Sequence, residues 1–331
     1  MRLLSYADDC DSDEGESDLE GGRRRRSLTG RGAMLRYLSR KIHRYFKPDP
    51  SRLLGIFLLL GSILLLMVYL GENGGILLPY SRDPAMENHP FAGLTSLVMV
   101  AGHAVYTSRI CAKANEESSW FLEPYQRNSG QAATFLEHIH RGVEAASRDN
   151  QSLLLFSGGE TRKEAGPRSE AQSYWSVADA NDWFGHSSSV RDRAVTEEYA
   201  RDSFENLLFS ICRFRELTGQ YPQNITVVSY HFKQHRFVAL HRSALKFPRE
   251  RFAYLGTLPA ISTAAAAARG ELFVQEQFRK DPYGCIGQLR EKRIKRDPFA
   301  RLIPYPAGCP EIANLFTYCG SSVISRRLPW N

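Results

Sequence analysis

Residues of the kind that do chemistry cluster at three points of this sequence, each directly after a run of apolar residues. Residues 102–103 follow the first run, residues 157–162 the second and residues 229–233 the third. A pair of glycines, as at Gly158 and Gly159, lets backbone N–H groups approach an anion closely. Histidines beside such a site can exchange protons near neutral pH. Together these points predict a polar site suited to an anionic ligand.

Two carboxylates, Glu170 and Glu205, stand in helical context close to serines that can cap helices. Each feature also has a plain structural interpretation, because paired glycines often form tight turns and serines often cap helices. Capping does not, however, require Glu205 and Asn206 in tandem. The candidates for catalysis are His231, Glu205, His103 and Glu160, and those for ligand binding are Gly158, Gly159, Arg162, Glu170, Ser203, Asn206, Ser229 and Lys233.

The elements that position these residues can be predicted from apolar patterning. Residues 94–101 form a continuous apolar run typical of a strand buried on both faces, and residues 152–156, 225–229 and 252–255 have the same character. Between them, residues 131–148 and 204–217 repeat apolar positions every three or four residues, which indicates helices. Alternating strands and helices predict a three-layer α/β/α, Rossmann-like domain with a mainly parallel sheet, whose ligand lies beyond the carboxyl ends of the strands.

Charge is segregated at the N-terminus, although the net charge of the chain is only +7. Eight acidic residues lie within the first 20, and a basic cluster follows over residues 23–52. The apolar segment 53–71 can then cross a hydrocarbon core of about 30 Å as a transmembrane helix. The basic flank predicts a cytosolic N-terminus and a domain in the lumen of an endomembrane such as the Golgi, or outside the cell. A nucleic-acid role is disfavoured, because no aromatic or groove-reading element accompanies the charges.

Cysteines and glycosylation sequons bear on the same topology. Five cysteines follow the apolar segment, without the spacing of a zinc site. In an oxidising lumen Cys309 and Cys319 could form a disulfide, although buried unpaired cysteines are equally ordinary. The sequons at Asn150 and Asn224 would accept glycans there. We therefore expect a disordered tail over residues 1–52, the transmembrane helix over 53–71, a linker over 72–93, the α/β domain over 94–260 and a helical and loop extension over 261–331.

Four short motifs, taken in order, resemble the family called domain of unknown function 218, the YdcF-, SanA- and ElyC-like proteins, in its eukaryotic, membrane-anchored branch. The resemblance covers roughly residues 94–257 and implies a Rossmann-like α/β/α domain tethered to a membrane. It also implies S-adenosylmethionine binding, as suggested for one bacterial branch. The chain departs from the bacterial pattern at His103, Ser203 and Gln234, where glycine, threonine and arginine are usual, and Arg236 can substitute for that arginine. The motifs are Ser157-Gly158-Gly159, Ser169-Glu170-Ala171, Ser203-Phe204-Glu205-Asn206 and Ser229-Tyr230-His231.

Three hypotheses for function follow. The first is a hydrolase or transferase acting on a phosphate-bearing, nucleotide-like or lipid-linked small molecule, with Arg162 and Lys233 neutralising charge and His231 or His103 moving protons. The second is a non-catalytic membrane scaffold in which Glu205 and His231 hydrogen-bond each other. The third is an S-adenosylmethionine-binding protein. Serine-hydrolase, P-loop and dinucleotide motifs are absent from the sequence, and no cofactor can be named.

Overall fold

The computed structural model describes residues 59–62, 89–109, 113–127, 130–259 and 264–331. The chain divides into two units; the helical residues 59–62 belong to one of them, and the other described residues belong to the second. Within the described ranges no helix has both the length and the apolar character needed to cross a bilayer. Apart from residues 59–62, the expected transmembrane helix lies outside the described residues, as do the expected tail and most of the linker.

A five-stranded, fully parallel sheet organises the second unit, in the order β5-β4-β1-β6-β7. Strands β2 and β3 form a separate antiparallel pair. The chain therefore has an α/β fold. In chain order the strands are β1 (Ser96–Ala101), β2 (Val105–Tyr106), β3 (Trp120–Phe121), β4 (Ser152–Ser157), β5 (Ala194–Glu197), β6 (Asn224–Tyr230) and β7 (Phe252–Thr257).

Helices pack against both faces of this sheet, because successive strand residues point to opposite sides. Val98 and Val100 pack with helices α1 and α2, whereas Leu97 and Met99 pack with α4 and with the C-terminal region. A π-helical turn, Arg236–His241, leads into α5. The helices are α1 (Gln131–Ser147), α2 (Glu170–Ala180), α3 (Ser187–Val190), α4 (Ser203–Thr218), α5 (Arg242–Ala244), α6 (Ala264–Lys280), α7 (Gly287–Lys295) and α8 (Asn314–Thr317).

The strand order reverses between β1 and β6, and this reversal determines where a ligand can enter. The chain leaves β1 through α1 to reach β4 and then β5 on one side, and it returns through α4 to β6 and β7 on the other. Helices α1 and α4 lie on opposite faces, so the loops after β1 and β6 diverge and leave a crevice between them.

The predicted parallel α/β arrangement is confirmed, and the four predicted strands agree with β1, β4, β6 and β7 to within a few residues. Strand β5 was not predicted, because it is only four residues long and its two central residues are half-exposed. Helix α2 was indicated only at its start, by the helical context of Glu170. The expected helical and loop extension contains helices α6 and α7, which residues 281–286 separate. Residues 264–331, expected as an extension, pack into the same unit as the sheet.

Two disulfides attach the C-terminal region to the rest of the domain. Cys212 on α4 is bonded to Cys309, and Cys285, just before α7, is bonded to Cys319. Cys309 and Cys319, whose pairing the sequence left open, are therefore bonded to other cysteines and not to each other. The fold instead places each of these cysteines beside a partner distant in sequence, which no local spacing could indicate.

Candidate functional site

A cavity of about 500 Å³ lies in the crevice at the carboxyl ends of β1 and β6. The loops after β1, β4 and β6 form its floor, and α6 and α7 form an outer wall. The cavity contains more positive than negative side chains, with six basic and three acidic residues among those that line it. The basic residues are Arg162, Arg201, Lys233, Arg236, Lys292 and Arg296, and the acidic ones are Glu170, Asp202 and Glu271.

The acidic side chains of the cavity are all committed to ion pairs or hydrogen bonds within the domain. Glu170 accepts a hydrogen bond from the Thr161 hydroxyl and lies 3.9 Å from Arg162. Asp202 caps α4 and pairs with Arg293, and Glu271 pairs with Arg236 at 3.0 Å. By contrast, no carboxylate in the described part of the chain lies within 4 Å of Lys233, Lys292 or Arg296, which leaves three cations available to a ligand.

Lys233 lies where the strand order reverses and contacts the end of β1. Its Nζ atom is 3.2 Å from Nδ1 of His103, and Nε2 of His103 is 3.0 Å from the Ser229 hydroxyl. Burial, followed by the charge of Lys233, lowers the pKa of His103 well below its ordinary value, so this histidine is neutral. Burial and the nearby Arg236 also lower the pKa of Lys233. An anion in the cavity would reduce the repulsion between Lys233 and Arg236 and stabilise the charged form of the lysine.

Arg236 adds a buried cation beside the half-buried Lys233. Its guanidinium is paired with Glu271 on α6, and both side chains are less than a tenth exposed. The Nε atom of Arg236 has no hydrogen-bond partner among the described residues. A buried N–H donor without a partner is uncommon, and a ligand oxygen would satisfy it.

Helix α7 and the residue that follows it supply the cations of the outer wall. Lys292 lies near Arg296 and Arg236. Although the residue is exposed at the cavity mouth, partial loss of solvation together with these charges lowers its pKa to about 8. Arg296 donates a hydrogen bond to the backbone carbonyl of Arg201 at 3.1 Å, which fixes it at the cavity edge. These residues lie in the region interpreted from sequence as an extension, and their charge was the only local signal of their role.

The Gly158-Gly159 turn does not present free amides to an anion, which corrects the expectation from sequence. The Gly158 N–H donates to the carbonyl of Glu197, and the Gly159 N–H donates to that of Ala200. A Cβ on Gly158 would lie 2.9 Å from Cβ of Glu170, so this glycine allows α2 to approach β4 closely. The turn therefore joins β4 to the loop after β5 and to α2.

Other helix N-termini at this edge are likewise occupied by the protein itself. The Glu117 carboxylate accepts hydrogen bonds from the amides of Gly130 and Ala132 at the start of α1. Asp202 accepts from the first amides of α4. An anion in this cavity must therefore be bound by cationic side chains and not by the end of a helix.

Three of the four proposed catalytic residues lie outside the cavity wall. Glu205 is buried and pairs with Arg201 and Arg293, so it does not contact His231 as the scaffold hypothesis expected. Glu160 pairs with Arg301 at 2.9 Å, and His231 is exposed. These placements leave three of the four proposed catalytic residues away from the cavity. Of that set only His103 lines the cavity, together with the proposed ligand-binding residues Arg162, Glu170, Ser203, Asn206 and Lys233.

Sequence reasoning passed over His241, which is fully buried behind the cavity wall and contacts Ser203. It also passed over Glu271, the partner of Arg236. Both lie within helical segments whose spacing indicates packing, and nothing local marks them as part of a site. The hydroxyl of the buried Ser229 hydrogen-bonds Nε2 of His103 and helps to fix the orientation of the ring.

Fold and site together define an α/β protein with a cation-rich cavity at the carboxyl edge of a parallel sheet. The chain is similar to a protein of Saccharomyces cerevisiae called Uncharacterized protein YOR238W. The two are 27% identical over 259 residues, which cover 63% of this chain and 86% of the yeast protein. No family model matches the chain, and no solved structure matches it.

Proposed function

We propose that the domain binds a phosphate-bearing small molecule in this cavity and acts on it as a hydrolase or transferase. The observation that carries the proposal is the charge of the wall, where six cations face three carboxylates. Lys233, Lys292 and Arg296 have no carboxylate within 4 Å in the described residues and are available to neutralise phosphate oxygens. Transfer of a phosphoryl group needs this kind of electrostatic stabilisation more than any particular nucleophile.

The size and lining of the cavity support a ligand with an uncharged part. A volume of about 500 Å³ suits a small organic molecule. Helix α6 contributes Ala267, Gly270 and Val274 to the wall, opposite the cations of the loops. A nucleoside or a lipid-linked portion could lie along this apolar wall while its phosphate contacts Lys233 and Arg236.

The resemblance to domain of unknown function 218 leads us to propose a Rossmann-like domain anchored through residues 53–71, with the domain in a lumen or outside the cell. Two disulfides favour an oxidising compartment. Asn150 and Asn224 are exposed near the amino ends of β4 and β6, so glycans there would leave the cavity open. Glycosidase sensitivity of both sites, with protease protection of the domain in sealed vesicles, tests this topology, and digestion from the cytosolic side would refute it.

Non-catalytic binding is a second candidate, because Glu160, Glu170 and Glu205 are all engaged in ion pairs. S-adenosylmethionine is disfavoured as a ligand, since its sulfonium and amino groups would lie among unpaired cations. Turnover of a bound phosphate compound separates a catalyst from a binding protein.

The experiment is a thermal-shift series on the purified full-length chain with phosphate, pyrophosphate, nucleotides, sugar phosphates, polyprenyl phosphates and S-adenosylmethionine. A ligand at 100 times its Kd should stabilise the protein by about 2.7 kcal/mol. Lys233→Gln should remove this stabilisation, whereas the exposed Lys163→Gln should retain it. Stabilisation by S-adenosylmethionine alone, or an undiminished shift in Lys233→Gln, would refute a phosphate ligand.

A further inference from the structure

Ser203 and His241 form a hydrogen-bonded pair at the cavity wall. Ser203 is the first residue of α4 and lines the cavity. Its Oγ atom lies 2.8 Å from Nε2 of His241, at the end of the π-helical turn. The same turn begins with Arg236, so one element connects this pair to the cationic part of the site.

The imidazole of His241 lies in an apolar enclosure that keeps it neutral. The rings of Phe204, Phe237 and Phe278 lie 5.7, 5.4 and 4.5 Å from it, each roughly edge-on. Burial and the charge of Arg236 lower the pKa of His241 to about 3. At neutral pH one ring nitrogen therefore carries a proton and the other carries a lone pair.

The surroundings decide which nitrogen carries the proton. Nδ1 of His241 is buried and has no hydrogen-bond partner in the described part of the chain. A proton on Nδ1 would bury an unmatched N–H donor, whereas a proton on Nε2 leaves only a lone pair unmatched. Because orphaned buried donors are rarer than under-satisfied acceptors, the proton belongs on Nε2. Nε2–H then donates to the Ser203 oxygen.

This arrangement leaves the Ser203 hydroxyl proton to be donated to another group. The Ser203 hydroxyl has no other hydrogen bond to a described residue, and Ser203 lines the cavity. We propose that His241 is a positioning residue which fixes the Ser203 hydroxyl as a hydrogen-bond donor to an oxyanion of the cavity ligand. This inference rests on the proposed function, and it adds a neutral donor of defined direction to the cations already described.

The same geometry argues against Ser203 as a nucleophile. Activation would require His241 to accept a proton inside an aromatic enclosure and beside Arg236. No described carboxylate hydrogen-bonds Nδ1 to stabilise the resulting imidazolium, as a catalytic triad would provide. The pair is thus suited to orienting a ligand and not to forming a covalent intermediate.

The test is calorimetric titration of the full-length protein with pyrophosphate. Ser203→Ala should weaken binding about tenfold or more, since it removes a hydrogen bond to a charged group. Ser203→Thr keeps the hydroxyl and should bind within about threefold of wild type. Ser210→Ala is the matched control, because Ser210 is buried on the same helix and does not line the cavity, and it should bind normally.

Nitrogen NMR of the His241 ring identifies which nitrogen carries the proton, which a merely structural role would not specify. We expect the proton on Nε2 in the free protein. A proton on Nδ1, or equal affinity of Ser203→Ala and wild type, would overturn the inference. If Ser203→Ala binds normally while Lys233→Gln binds weakly, the inference fails and the phosphate site stands. If wild type does not bind pyrophosphate, both fail.

Discussion

The Nζ atom of Lys233 lies 3.2 Å from the Nδ1 atom of His103, and this contact joins the ends of β6 and β1 where the strand order reverses. The two residues are 130 positions apart in sequence. Because His103 is neutral, it can support the lysine without repelling it. The contact places a cation at the crevice in which parallel α/β proteins bind ligands.

Substitutions in the Arg236–Glu271 ion pair should change folding stability and ligand affinity in different ways. Arg236→Gln leaves a buried carboxylate unpaired and should destabilise the protein by about 3–5 kcal/mol. The double variant Arg236→Gln with Glu271→Gln removes both charges and should recover most of that loss in denaturant unfolding. Phosphate-ligand affinity should remain low in both variants. A double variant with normal affinity would exclude Arg236 from the site.

Anion binding should weaken as pH rises through the pKa of Lys292. That pKa is lowered to about 8, so the binding-competent ammonium is present below this pH and lost above it. Lys233, whose pKa is also lowered, adds to the decline. Titrations between about pH 7 and 9 should show the fall, and Lys292→Gln should make it shallower. An identical pH profile in Lys292→Gln would contradict this assignment.

Glu197 should make stability depend on pH in the opposite direction from an ordinary paired carboxylate. Burial raises its pKa from 4.5 to about 8, despite hydrogen bonds from the Ser157 hydroxyl and the Tyr199 amide. The unfolded chain releases this proton at lower pH, so stability should fall as pH rises from about 4.5 to about 8. The difference in unfolding free energy between wild type and Glu197→Gln isolates this slope. A constant difference across that range would contradict the raised pKa.

Loss of a disulfide should destabilise the whole domain. The bond between Cys212 and Cys309 closes a loop over a sequence separation of 97 and attaches the C-terminal region to α4. Replacing both cysteines with serine should cost about 2–5 kcal/mol in denaturant unfolding. Reductant should destabilise wild type but not a variant that lacks all four paired cysteines. Equal sensitivity of the two proteins to reductant would exclude these disulfides.

Gly158→Ala should affect folding and not ligand affinity. Its new Cβ would lie 2.9 Å from Cβ of Glu170 and force α2 away from β4. We expect a loss of about 1–3 kcal/mol in unfolding free energy, as for other overpacked contacts. Affinity for phosphate compounds should stay unchanged, because the Gly158 amide already donates to Glu197. If the variant folds with wild-type stability but loses binding, the Gly158-Gly159 turn belongs to the anion site after all.

Local patterns predicted the sheet well because burial on two faces leaves a direct trace in the sequence. The strands β1, β4 and β6 each contain consecutive large apolar residues, and α1 and α4 repeat apolar residues at helical spacing. Strand β5 left no such trace, since it lies at the sheet edge and is only four residues long. Without β5 in the prediction, the sequence could not show that the Gly158 N–H donates to the carbonyl of Glu197.

The sequence by itself determined the alternation of strands and helices and the edge of the sheet at which polar residues collect. Both follow from the periodicity of apolar residues and from the positions at which the strands end. Only the tertiary structure decided which charges face one another. It assigned the Gly158-Gly159 amides and Glu205 to internal bonds, and it brought Glu271 and Lys292 to the cavity from the segment that was interpreted as an extension. The physical reason is that hydrogen bonds and ion pairs are satisfied by proximity in space, whereas local sequence records only burial and backbone preference.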